Sequence, residues 1–333
     1  MSHFRLGRRF HVMAPKRPPT TASLCSVHID LAPRCSWRQW KSALRAAVLS
    51  LVWLAVVLAP DVAAADADSP ASPWHEAYPL VLQDLKAGEP LVVEVLVALC
   101  SNEQIWCGSK LAGQPASLRA NIYWGAIFGA RTHFERKSAQ WEPLGLRAVD
   151  RVYLQRAVFR RQVPAAKWGL DRVQPIEQIV VLHAIHGGHI NHAVEEFYRR
   201  AARGSTVILD GDQGQRRTLR VHAVGYAGHN RLMDGIRFPP KLPPARASET
   251  PIASFVLACN SERYFAKLLR SVGSEPVVTT QTLMAPEGYV VDAVAKGLGD
   301  NESAHAIRQR AVAAYAQWQR ITPNAADRIF APR

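Results

Sequence analysis

Acidic residues are scarce in this chain of 333 residues: 27 Asp and Glu stand against 41 Lys and Arg, a formal net charge of +14. A long membrane-spanning run is missing. The longest apolar stretch, residues 46–59, has 14 positions interrupted by Ser50, short of the ~20 a spanning helix needs. No internal repeat recurs along the chain, which excludes solenoids and propellers. No dense Lys/Arg tract interleaved with aromatics occurs, so nucleic acid is not an expected partner. No HExxH pattern occurs, and no nucleotide or other cofactor is expected. Cysteine is sparse too, with five in all: Cys25, Cys35, Cys100, Cys107 and Cys259.

What is present begins with the amino-terminal segment. Nine Lys or Arg fall in residues 1–45 (Arg5, Arg8, Arg9, Lys16, Arg17, Arg34, Arg38, Lys41 and Arg45), followed by the apolar run and then by Ala63-Ala64-Ala65. A basic region, a short apolar region and a small-residue cleavage site in this order predict a signal peptide over residues 1–65, with an unusually long basic region. The alternative is an uncleaved anchor, the one way in which this chain would hold a membrane. Residues 66–80 read as a linker and 81–325 as one domain, periplasmic or extracellular. Removal of 1–65 takes away nine basic and two acidic residues. The remainder has 32 basic and 25 acidic residues, a mild surplus of +7.

Export changes the reading of the cysteines. Cys100, Cys107 and Cys259 remain, an odd number in an oxidising compartment. Cys100 and Cys107 close a short loop if oxidised; two free thiols, or a catalytic Cys100 at the end of a strand, are the alternatives.

Residues 91–99 (LVVEVLVAL) predict a strand buried on both faces, as parallel sheets require. Further strands are expected at 151–159, 178–185, 217–226, 252–258 and 276–280. Helices are expected at 116–134, 192–202 with Asn191 as N-cap, 264–272, 290–296 and 301–320. In the first of these, Gly125 and Gly129 would admit a close backbone. Residues 237–251, with five prolines, read as a loop. Strands alternating with helices imply an α/β fold with a mostly parallel central sheet of about six strands.

Two sites sit at predicted carboxyl ends of strands, where open α/β sheets place their ligands. One is Tyr226-Ala227-Gly228-His229 and the other Val256-Leu257-Ala258-Cys259. A thiol needs an adjacent base to act as a nucleophile, and an imidazole is such a base. Helix N–H groups after Cys259 would favour a thiolate or an oxyanion. Asp234 and Glu262 are nearby acids that could orient His229 or bind a basic side chain. Gly228, Asn230 and Asn260 flank the two reacting groups. Met284-Ala285-Pro286-Glu287 follows the last strand on the same edge and reads as a turn.

This pattern resembles the caspase-like clan of cysteine peptidases, which includes metacaspases and gingipains. There an apolar strand ends in His-Gly and the next in Ala-Cys or Ser-Cys; the matching residues are His229 and Cys259. The resemblance covers roughly residues 90–320 as topology and about a dozen as motif. It implies a three-layer α/β/α fold, a Cys-His dyad, and a peptide or protein substrate for a peptidase or related amidohydrolase. Oxyanion contacts would come from the N–H groups of Cys259 and of the Gly228–Asn230 turn. The sequence departs from the clan at Asn230, where Gly is usual, and in the short interval between His229 and Cys259.

Two other readings stand beside it. One is an inactive caspase-like binding module of the cell envelope, with Cys259 a buried apolar residue. The other is a metal-binding protein that uses His183, His186, His189 and His192, which recur every third residue; imidazole suits zinc or copper. His186-Gly187 also ends an apolar block, and is a second candidate for the base.

Overall fold

The computed structural model describes residues 74, 77–210, 215–236 and 252–333, all within one compact unit, Ala63–Arg333. The predicted signal segment, most of the linker and the proline-rich loop lie outside the described residues. Among the described residues no helix is long and apolar enough to cross a membrane.

Helix α1 (Tyr78–Lys86) precedes strand β1 (Leu91–Ala98), whose eight residues are all buried. Then come α2 (Ala130–Phe134), β2 (Glu142–Ala148), β3 (Tyr153–Val163) and β4 (Ile176–Ile185). Helix α3 (Ile190–Arg203) leads to β5 (Thr206–Asp210), β6 (Arg216–Arg220) and β7 (Ala223–Ala227). The last part holds β8 (Ala253–Leu257), a π-turn over Glu262–Ala266 running into α4 (Lys267–Ser271), and β9 (Pro276–Val278). It closes with α5 (Gly288–Gly299), α6 (Ala304–Gln319) and α7 (Pro323–Asp327).

Seven strands form one sheet in the order β2-β3-β4-β1-β7-β8-β9. The five from β4 to β9 are parallel neighbours, and β2 and β3 extend the sheet antiparallel at one side. β1 is central because Val, Leu and Ala on both its faces need cover. Odd residues of β1 (Leu91, Val93, Val95, Val97) pack in a core with Val81 and Leu85 of α1, Val290 and Val294 of α5, and Ile307 and Ala311 of α6. On the opposite face Leu96 and Ala98 meet Val194 and Phe197 of α3 and Phe265 and Leu269 around α4. The separate β5–β6 hairpin supplies Val207 and Leu219 over Val92, Val158 and Val181. The fold is α/β with a mostly parallel central sheet.

Several elements depart from the sequence expectation. Residues 116–129 form turns, not the amino-terminal part of a helix, and only 130–134 are helical. Asn121 is fully buried and supplies its own competing hydrogen bonds. Its Oδ1 accepts from the N–H groups of Cys100 (3.1 Å) and Tyr123 (3.2 Å), and its Nδ2 donates to the carbonyls of Cys100 (2.8 Å) and Gln114 (2.9 Å). Gly125 and Gly129 do admit a close backbone, but it is that of the same loop: a Cβ would lie 2.1 Å from the Leu118 carbonyl oxygen and 2.3 Å from that of Trp124.

The strand expected over 217–226 is two strands. β6 pairs with β5, and β7 enters the main sheet. Between them His222 is pinned to β1, accepting from the Val92 N–H at 3.0 Å and donating its own N–H to the Val92 carbonyl at 2.9 Å. Helix α3 starts at Ile190, one residue before the expected cap Asn191, with His189 at the cap position.

Candidate active site at the carboxyl edge of the sheet

β7 and β8 are adjacent and parallel, with Ala227 paired to Leu257. His229 and Cys259 each follow that pair by two residues, so both leave the same edge at the same level. This register is the geometric basis for reading them together. The Asn230 side chain ties the two ends further, donating from Nδ2 to the Cys259 carbonyl at 2.5 Å and accepting the Leu232 N–H at 3.1 Å. Asn230 is fully buried, so the residue that departs from the clan's Gly is a structural clamp across the two strand ends. Gly228 leaves little room for a side chain: a Cβ there would lie 3.0 Å from the Ala98 Cβ and 3.1 Å from the Tyr226 hydroxyl, so these neighbours would have to shift by a few tenths of an ångström. That hydroxyl donates to the His229 carbonyl at 2.9 Å and fixes the turn.

His229 is 8% exposed. Its Nε2 lies 2.9 Å from Asp234 Oδ2, and Arg231 Nη1 lies 2.7 Å from the same oxygen. Partial burial raises the Asp234 carboxyl, but the hydrogen bonds and charges of His229 and Arg231 outweigh it and hold that carboxyl below its ordinary value. The expected orienting acid is therefore in contact with the proposed base. Nε2 faces Asp234, which leaves Nδ1 as the other ring nitrogen.

Cys259 is the free thiol among the described residues and is half-buried. Met284 cradles it: the Met284 N–H donates to Sγ at 3.3 Å, and Sγ lies 3.4 Å from the Met284 carbonyl. Tyr123 and Tyr315 approach from two other segments, and neither is visible as a site residue in the sequence, where both read as apolar core. Burial pushes the Tyr123 phenol well up, and the charges of Cys259, Glu287 and Tyr315 add to this. Tyr315, raised chiefly by burial and also by the charges of Glu287 and Cys259, accepts the Ala285 N–H at 3.0 Å. The Met284–Glu287 segment is thus part of the site's wall. Burial also raises the Glu287 carboxyl, whose Oε2 accepts from Gln319 at 2.9 Å.

Other expected roles are not met. The chain after Cys259 does enter a helix, but its first N–H groups are occupied: Asn260 donates to the Thr282 carbonyl at 2.8 Å and Glu262 to the Thr280 carbonyl at 2.9 Å. The Gly228 N–H donates to the Leu257 carbonyl at 3.2 Å. Asn260 itself adopts a left-handed φ of 50° and contacts Met233 Sδ at 3.7 Å. Glu262 turns away from His229, pairing with Arg270 at 3.2 Å and Arg333 at 3.0 Å.

Cys100 and Cys107 form a disulfide with Cα atoms 6.3 Å apart, so Cys100 carries no free thiol. The histidine row splits. His183 pairs with buried Glu94 at 2.8 Å and packs edge-on to Tyr153, as does His192. His186 and His189 meet edge to face with ring centroids 5.5 Å apart, and His186 Nδ1 accepts the Gly188 N–H. Among the described residues no group of three or more His, Cys, Asp or Glu side chains could hold a metal ion. The row follows strand β4, a turn and a helix start, three directions that do not converge.

No family model, no curated protein and no solved structure matches this chain.

Proposed function

We propose that the protein is a caspase-like cysteine hydrolase, a peptidase or amidohydrolase, that acts outside the cytoplasm. The observation that carries this reading is the register of His229 and Cys259 at neighbouring strand ends, with Asp234 hydrogen-bonded to the far side of the imidazole. The strand order also fits, because β1 is flanked by β4 and β7, and β8 follows on the outer side of β7.

In the proposed reaction Cys259 Sγ attacks the substrate carbonyl carbon as His229 Nδ1 takes the thiol proton. Asp234 holds the ring and stabilises the imidazolium that forms. His229 returns the proton to the leaving amine as the C–N bond breaks. It then deprotonates the water that cleaves the thioester, regenerating the thiol. With the Gly228 N–H occupied, the N–H groups of Cys259 and Asn230 are the candidates for the oxyanion. The Cys100–Cys107 disulfide is compatible with an oxidising compartment, and it supports export together with the amino-terminal pattern.

The occupied N–H groups after Cys259 favour a second reading, a non-catalytic binding module built on the same edge. A mixture-based peptide library separates the two. The hydrolase reading predicts cleavage by the wild type and none by Cys259→Ala. Peptide capture without cleavage, equal in the wild type and Cys259→Ala, supports the module.

A further inference from the structure

Away from the Cys259 edge, the carboxyl end of α3, the turn into β5 and the β6 strand enclose a groove of about 840 Å³. Four arginines line it: Arg199, Arg200 and Arg203 from α3 and Arg220 from β6. Ser205, Thr206 and Thr218 add hydroxyl groups, and Leu80, Val221 and Ile252 form an apolar floor. No carboxylate is among the described lining residues.

The acids that orient these arginines stand behind the wall. Glu94, 2% exposed, pairs with Arg200 at 2.5 Å. Glu196 holds Arg199 at 2.7 Å, and Asp84 holds Arg220 at 3.0 Å through Nε. Burial alone would raise the Glu94 carboxyl, but His183, Arg200 and Ser205 hold it down at about 2, so Arg200 has a charged anchor at any ordinary pH. Arg203 is exposed and makes no ion pair among the described residues. Basic residues at a helix carboxyl terminus are favoured by its dipole. The dipole favours Arg200 and Arg203 of the last turn, but not Arg199, nor Arg220, which the hairpin brings in from elsewhere. Nor does it account for the absence of acids among the described lining residues.

We infer that this groove binds a ligand bearing phosphate groups, two or more negative charges held by arginine forks and hydroxyl donors. Guanidinium is the side chain suited to planar, bidentate contact with phosphate oxygens. The apolar floor accommodates a non-polar portion next to the anion, so a free oligophosphate and a phospholipid headgroup share the recognition chemistry.

The test uses the whole protein and two probes: inorganic tripolyphosphate by calorimetric titration, and phosphatidylglycerol vesicles against phosphatidylcholine vesicles by co-sedimentation. Arg203→Glu removes this guanidinium without breaking an ion pair or side-chain hydrogen bond among the described residues. Arg328→Glu, at an exposed residue bonded only through its backbone among the described residues, is the control of equal charge. Saturable binding of tripolyphosphate, weakened about tenfold or more by Arg203→Glu and unchanged by Arg328→Glu, supports a soluble phosphate ligand. The same pattern with phosphatidylglycerol vesicles alone identifies a headgroup. Absence of binding to both probes overturns the inference, as does equal weakening by the two variants, which would reduce it to net charge.

Discussion

At the residue scale the roles of Cys259, His229 and Asp234 are separable. Cys259→Ala removes the proposed nucleophile and is expected to lower hydrolysis by ~10³-fold or more, measured as kcat on any peptide the wild type cleaves. Asp234→Asn keeps the shape but loses the charge that faces His229 Nε2. It should cut kcat by about 10- to 100-fold with KM little changed, since it acts on the imidazolium and not on substrate binding. An unchanged kcat would make Asp234 a surface acid that happens to bond a histidine. His229, Cys259 and Asp234 could all be named from the sequence, because strand ends and chain order mark them. Tyr123 and Tyr315 could not, since a phenol on an apolar stripe looks like core until the fold brings it to the thiol. Asn230 was legible only as a departure from the clan; its clamp on the Cys259 carbonyl needs both strand ends in place.

At the scale of elements, the β1–β4–α3 junction is held by a buried charge cluster. Glu94 of β1 meets His183 of β4 at 2.8 Å, Arg200 of α3 at 2.5 Å and Ser205 at 2.9 Å. Its folded-state value near 2 lies below the ordinary 4.5. The cluster's contribution is therefore complete above about pH 4.5 and is lost as the pH falls from there towards 2. Glu94→Gln leaves Arg200 without its buried counter-charge and should cost roughly 3–5 kcal/mol at neutral pH. Urea unfolding at pH 7 and pH 3 measures this: the variant's deficit should shrink in acid. A deficit that stayed constant would assign the effect to packing. The disulfide closes a loop of seven-residue separation, and its loss in Cys107→Ser is expected to destabilise by about 2–3 kcal/mol in the same assay.

Elements with one dominant signal were readable: β1, β4, β8, α3 and α6 lie within one to three residues of their expected limits. Those that failed had competing local chemistry. Asn121 replaces helical hydrogen bonds over 116–129, and His222 splits a continuous β pattern by bonding to Val92. β2 was missed because its seven residues are all exposed on the sheet's edge and carry Pro143 and Gly145, so no buried face repeats in its sequence.

For the whole molecule, the fold follows from one fully buried strand that needs neighbours on both sides and helices on both faces. The class, an α/β domain with a mostly parallel sheet, was legible from alternation alone; strand order was not, because β1 pairs with β7 across 130 residues without a local trace, and the antiparallel extension was not, because β2 has no buried face. The second core depends on aromatic packing, with Phe265 stacked between Tyr198 at 5.6 Å and Tyr226 at 5.9 Å. Phe265→Ala should cost about 3–5 kcal/mol in denaturant unfolding. It should also loosen the carboxyl edge, because Tyr226 positions the His229 turn.

The central claim is that His229 and Cys259 act as a pair. Time-resolved iodoacetamide labelling of Cys259 at pH 6–7, followed by mass spectrometry in the wild type and in His229→Ala, tests it most directly. The account predicts fast labelling of the folded wild type, slowed at least about tenfold in the variant. A thiol that stays unreactive until the protein is unfolded, or one that reacts equally fast without His229, would contradict it.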